Sequence, residues 1–393
     1  MILKNFLSRI LKTNFKKRKT YHMNILYDIQ LIWCTISLLL IGLIMVTSSS
    51  MSIAQHMYND LFFFTKKELL YLILALLLAK ISLQTSTLFW KRNSGKIILT
   101  SIMLLLLVLT ISNPINGSLR WIKVGFIHIQ PAELSKLAMF CYLSNYLSRK
   151  HLKITNSLWE FYKPIGIVFI ISILLLLEPD LGTVAIYYIT ILSLLFITGV
   201  KIWKFIPVIL ISIIITFVLI IMTPYRIERI FSFWNPWNDP FGTGYQLTQS
   251  LMALGRGKIF GVGLGHSIQK LEYLPEAHTD FIFSIIGEEL GCFGVCIILF
   301  IIFFISFRAL KIGKNAFKNN EIFSGYFATS IGIWFISQTL INIGTTIGLV
   351  PAKGLTLPLI SYGGSSSIIM CIAISILIRI DFETKMKNKF YLN

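Results

Sequence analysis

Apolar runs long enough to cross a bilayer recur along this chain from residue 28 to residue 380, and few folds accommodate them. They fall near 28–47, 67–84, 96–113, 131–148, 163–178, 181–200, 203–223, 280–307, 322–345 and 355–380. A hydrocarbon slab about 30 Å thick needs roughly 20 apolar residues per spanning helix. Lipid offers the backbone no water, so each segment must satisfy its own hydrogen bonds, and helices do this. The period-2 alternation of a membrane barrel is absent. Composition agrees, with 55% hydrophobic and only 13% charged residues, where soluble domains carry about a quarter charged. The expected fold is an all-α polytopic integral membrane protein of about ten transmembrane helices.

The net charge of +19 does not point to nucleic acid, because Lys and Arg sit mostly between the apolar runs, where topology signals lie. With the N-terminus inside, the inner loops carry Lys91, Arg92 and Lys96; Arg149, Lys150 and Lys153; Lys201 and Lys204; and Arg308, Lys311 and Lys314. That alternation places both termini in the cytoplasm and the long polar segment 223–279 outside, between helices 7 and 8. The chain divides into a basic arm, 1–27, a transmembrane domain, 28–380, and a short tail, 381–393. The arm interleaves Lys and Arg with Leu, Ile and Phe, so it reads equally as a lipid-surface segment or a solvated tail. Cys34, Cys141, Cys292, Cys296 and Cys371 all lie in apolar runs; they read as small buried hydrophobes, with no partner set for a metal.

Polar residues concentrate at the outer ends of the apolar runs. The outer loop holds Arg256, Lys258 and Lys270, able either to clamp a phosphate or to stand solvated. Its residues 245–254 are amphipathic and read as a short helix in the interface, and its glycines 255–265 allow either close backbone approach to a ligand or a flexible turn. Asp280 opens the eighth apolar run, with His278 just before it and Glu288 eight residues on, on the same helix face about 12 Å away. An acidic stripe entering a membrane calls for a polar cavity. Glu133 and Lys136 share a face at the start of the fourth run, either as a structural ion pair or as the lining of a cleft. Residues 116–131 read as an interfacial or re-entrant turn, and Glu178-Pro179-Asp180 as a tight hairpin. Residues 348–364 break regular structure with Pro351, Gly354 and Pro358, and carry Lys353 as their one charge. With Ser365 just beyond, they suggest one wet cavity opening outward.

The blocks GSLRWI, IQPAELSKLA, EPDLGT, NPWNDPFGTGYQLTQS, LPEAHTDFIFSIIGEELG and PAKGLTLPLISYGGSS resemble the SEDS (shape, elongation, division and sporulation) family. They run in order over nearly the whole chain, and the NPWNDPFGTGYQLTQS block is closer to the division branch than to the elongation branch. The resemblance implies a peptidoglycan glycosyltransferase in the bacterial inner membrane that polymerises lipid II at the septum by inverting β-1,4 transfer and releases polyprenyl pyrophosphate. It implies Asp280 as catalytic base, and it carries Glu133, Lys136 and Arg120 over as paired and cationic site residues. With Arg256, His278, Glu288, Lys353 and Ser365 these make the candidate substrate-binding set. It also implies a class B penicillin-binding transpeptidase and other divisome membrane proteins as partners. No soluble cofactor is expected; a divalent cation (Mg or Mn) at the pyrophosphate is compatible with the sequence but not required by it. Two other readings remain open at this point: a lipid II flippase, supported by Glu288 and Glu289, and a non-catalytic divisome scaffold.

Overall fold

The structure is a computed structural model, and it describes residues 27–111, 120–125, 127–221, 233–351 and 354–391. The basic arm and Lys353 therefore lie outside the described residues.

Eleven α-helices are present among the described residues: α1 (Ile29–Tyr58), α2 (Phe63–Gln84), α3 (Thr87–Ile111), α4 (Pro131–Ile154), α5 (Leu158–Leu177), α6 (Leu181–Ile197), α7 (Phe205–Ile221), α8 (Tyr245–Gly257), α9 (Ile282–Lys318), α10 (Ile322–Thr346) and α11 (Gly364–Tyr391). All but α8 coincide with the apolar runs. Six of them, α1, α3, α5, α9, α10 and α11, are long and apolar enough to cross a membrane, which makes this a membrane protein.

The boundaries follow from local chemistry. Asp28 caps α1 by accepting from Leu31 N, Ser157 caps α5 through Glu160 N, and Asp180 caps α6 through Thr183 N at 3.1 Å. Pro131 opens α4 at a position where its missing N–H costs nothing. α10 and α11 are the most enclosed helices, and α3 and α9 the most outward-facing of the long ones. Cys292 and Cys296 lie exposed on α9, not buried as expected, because α9 turns that side away from its protein neighbours; all five cysteines are free.

The described ends lie together: Tyr27 stacks on Phe382, and Asp28 pairs with Arg308 near the end of α9. At the other face, the described part of 116–131, residues 120–125 and 127–131, holds a small hairpin. Ile122–Val124 (β1) and Ile127–Ile129 (β2) pair antiparallel with Ile122 opposite Ile129. The alternation in IKVGFIHI favours this hairpin, and Gly125 takes its positive φ at the turn.

The described part of the segment expected outside, residues 233–279, packs onto the bundle. α8 exists as expected, but the side it buries is Thr248, Gln249, Ser250 and Ala253, with its leucines only half-buried. Small residues let it approach closely: Ser250 Oγ reaches Ser284 Oγ at 2.6 Å and donates to Thr346 O at 2.6 Å. After α8 the chain inserts into a break in α9 at Gly291, where φ is 69° and ψ −174°. Val262 N and Gly263 N donate to Glu288 O and Glu289 O, while Cys292 N and Phe293 N donate to Lys258 O and Ile259 O. A Cβ on Gly257 would stand 1.9 Å from Gly287 O, and one on Gly261 would stand 2.2 Å from Glu289 O. These two loop glycines serve backbone contact with α9, not with a ligand.

Candidate active site

Asp280 sits in a tight turn two residues ahead of α9. The turn is fixed from three sides. Phe281 N donates to Glu276 O, Tyr362 N donates to His278 O, and Asn342 of α10 donates Nδ2 to Asp280 O at 2.9 Å. The same amide donates to Leu355 O at 2.6 Å, so one side chain binds both the aspartate's backbone and the loop ahead of α11. That loop brings Gly354 to the carboxylate: a Cβ there would lie 3.2 Å from Asp280 Oδ2 and 3.1 Å from Arg120 Nη1. Glycine thus leaves open the space between an acid and a cation.

Arg120 precedes β1 and is held by carbonyls rather than by acids. Its Nε donates to Glu178 O at 3.0 Å and its Nη2 to Pro179 O. Among the described residues it makes no ion pair. A guanidinium held this way keeps its charge for a ligand. Asp280 is half-buried. Burial pushes its carboxyl up to about 7, Glu276 and Asp180 add to the rise, and Arg120 opposes it.

The remaining expected site residues are placed differently. Glu133 and Lys136 are together, but sealed: Lys136 Nζ donates to Glu133 Oε1 at 2.8 Å and to Gln338 Oε1 at 3.0 Å, over the face of Trp334. Gln338 in turn donates to Thr356 O at 2.9 Å. This is an internal tie between α4, α10 and the loop, and it does not line an open cleft. Glu288 is fully enclosed, and its carboxylate accepts from Arg256 Nη1 at 2.9 Å, Ser267 Oγ at 2.5 Å and Ile268 N at 3.1 Å. Glu289 pairs with Lys270 at 2.8 Å and accepts from Ser48. The acidic stripe therefore clamps the outer loop to α9, and Arg256 is committed to Glu288. The ring of His278 is enclosed by Phe64 and Tyr362, at 4.7 and 5.6 Å between centroids, and burial lowers its pKa. Ser365 Oγ accepts from Gln130 N and donates to His128 O, both at 2.9 Å, so its hydroxyl anchors the hairpin. Asn342, Gln338 and Gly354 were not singled out from the sequence as site residues. The available signal was the pair of amides one helical turn apart, in an otherwise apolar run.

The profile of the family described as Cell cycle protein, which groups FtsW, RodA and SpoVE, matches residues 29–386. The chain belongs to that family. The resemblance seen in the motifs is thereby borne out. A protein of Buchnera aphidicola subsp. Baizongia pistaciae named "Probable peptidoglycan glycosyltransferase FtsW" is 68% identical over 92% of this chain and 96% of its own length. One of the same name from Escherichia coli O157:H7 is 54% identical over 93% of this chain and 88% of its own. Among solved structures, a chain of a peptidoglycan synthase complex that coordinates polymerization and crosslinking aligns with a TM-score of 0.72 at 24% identity, covering 91% of this chain and 98% of that one. Rod shape determining protein RodA of Thermus thermophilus aligns with a TM-score of 0.67 at 24% identity, over 90% and 96%. These two likenesses show the fold.

Proposed function

We propose that this chain is a peptidoglycan glycosyltransferase that polymerises lipid II at the division septum of the bacterial inner membrane, with Asp280 as general base. The relatives' shared name supports the activity. The observation that carries the mechanism is the convergence of the Asp280 carboxylate and the Arg120 guanidinium on the one point where Gly354 has no Cβ, with Arg120 in no ion pair among the described residues.

Lipid II keeps its tail in the bilayer and its pyrophosphate and sugars at the outer boundary. Asp280 takes the proton from the acceptor 4-hydroxyl. That oxygen attacks the donor's anomeric carbon from the face opposite the leaving group, and polyprenyl pyrophosphate departs with the bonding electrons. The new bond is β-1,4. Arg120 stabilises the charge that develops on the pyrophosphate. A positioned base contributes about 10²–10⁴-fold, and a pKa near 7 suits the task. Among the described residues no three His, Cys, Asp or Glu side chains gather to hold a metal ion. A Mg or Mn ion would bind the substrate's own pyrophosphate oxygens and neutralise part of their charge.

Ten transmembrane helices, cytoplasmic termini and an outward-facing Asp280 complete this reading, and a class B penicillin-binding transpeptidase is the proposed partner. The flippase reading loses its main support, since Glu288 and Glu289 are both paired. Purified protein, partner and labelled lipid II should give a polymer ladder on a gel, and Asp280→Asn should give none while still folding. Transbilayer movement of lipid II without polymer would instead favour transport, and division rescued by Asp280→Asn would favour a scaffold.

A further inference from the structure

Glu178 closes α5 just before Pro179, and its side chain is fully enclosed. Neither carboxyl oxygen has a hydrogen-bond partner among the described residues. The groups that face it are Arg120 from ahead of the hairpin, Asp180 from the same turn and Tyr187 from α6. Each is engaged elsewhere. Tyr187 OH meets Ser135 Oγ at 2.5 Å, Asp180 accepts from Thr183 N and Oγ1, and Arg120 is spread over the carbonyls of residues 178 and 179. A carboxylate anion in such a place has nothing to solvate it, and a neutral carboxyl is far less costly to enclose.

Only Arg120 among these neighbours carries a positive charge, and its Nε already lies on the backbone of Glu178. An anion at Glu178 would pair with it. The guanidinium would then leave its two carbonyls and swing from Gly354 and Asp280.

Resting on the assignment of Arg120 to the leaving pyrophosphate, we propose that Glu178 is a positioning residue that works as a neutral carboxylic acid. Protonated, it leaves Arg120 charged and seated beside Asp280. Once it loses that proton to water, it captures Arg120 and withdraws it from the site. Burial supports this by pushing the Glu178 carboxyl up to about 8, with Asp180 adding and Arg120 opposing. The competent form, Asp280 ionised and Glu178 protonated, then spans the interval between about 7 and about 8. The two titrations are linked through Arg120 and Asp180, so a kinetic profile reports them as a pair.

The test compares wild type and Glu178→Gln, each with its partner, in lipid II polymerisation across pH. Wild type should give a bell that falls above about pH 8. Glu178→Gln should keep neutral-pH turnover within about twofold, keep the acidic limb and lose the alkaline one, with kcat and not KM carrying the difference. An unchanged alkaline limb, or a loss of about tenfold or more at neutral pH, would overturn the proposal. Infrared spectroscopy reads the same group without turnover. A protonated-carboxyl stretch that disappears as pH rises through about 8, and is missing from Glu178→Gln, is expected. A spectrum with Glu178 ionised at neutral pH refutes the proposal. If no variant polymerises lipid II, the reading of function fails, while the infrared result still decides Glu178.

Discussion

Asp280 and Arg120 divide the chemistry between them, and their variants should fail differently. Arg120→Lys keeps the charge but loses the fork that spans Glu178 O and Pro179 O. It should lower kcat/KM by about 10–10³-fold while Asp280 keeps its pH response, a split that steady-state kinetics across pH resolves. Gly354→Ala places a methyl between the two groups, 3.2 Å from Asp280 Oδ2. Activity should drop sharply with the melting temperature nearly unchanged. Asp280 was legible in the sequence because a charge at the mouth of an apolar run is costly unless it works. Gly354 was visible only as a break in regular structure, since a glycine that keeps a gap open shows its reason only when both walls are seen. Glu133 and Lys136 were legible as a pair, but not as a sealed one: spacing puts side chains on a common face without saying what covers it. Replacing Lys136 with Met strands Glu133, which is buried, and should cost about 3–5 kcal/mol, measured by thermal melts in detergent. Adding Glu133→Leu should recover most of that loss.

At the scale of elements, the outer loop and α9 form one unit. The break at Gly291 frees backbone groups of α9, and the segment after α8 satisfies them with four hydrogen bonds, from Val262 N, Gly263 N, Cys292 N and Phe293 N. Glu288 then holds Arg256 of α8 and Ser267, and Glu289 holds Lys270, so the chain is fixed on both sides of the inserted segment. Gly257→Ala forces a methyl against Gly287 O and should destabilise by about 1–3 kcal/mol, with faster proteolysis of the loop as the readout. α8 and the close approach of the glycines were legible in the sequence, but not what they approach. Hydrophobic periodicity identifies a helix from its leucines, whereas the side α8 buries is made of small and hydroxyl residues. The short hairpin Ile122–Val124 with Ile127–Ile129 was missed because each strand has only three residues, and a run that short fits a turn as well as a strand.

Across the whole molecule, a helix lies on each apolar run, but the ends differ: α1 continues to Tyr58 and α9 to Lys318, and α11 starts only at Gly364, because lipid dictates the apolar stretch and not the polar turns that extend a helix beyond it. The Asp28–Arg308 pair and the Tyr27–Phe382 stack bring distant ends to one face, while Asp280, Arg120 and Gly354 meet at another. An engineered cysteine at Tyr273 should react with a membrane-impermeant thiol reagent from the periplasm, and one at Lys314 should not; the reverse would invert the proposed topology. The centre of the account is that an ionised Asp280 removes the acceptor's proton. The rate of lipid II polymerisation between about pH 5.5 and 7.5, with the partner present, tests it most directly. Turnover should rise with a midpoint near 7, and Asp280→Asn should be inactive throughout. A rate flat over that interval, or an Asp280→Asn protein that keeps the wild-type rate, would contradict it.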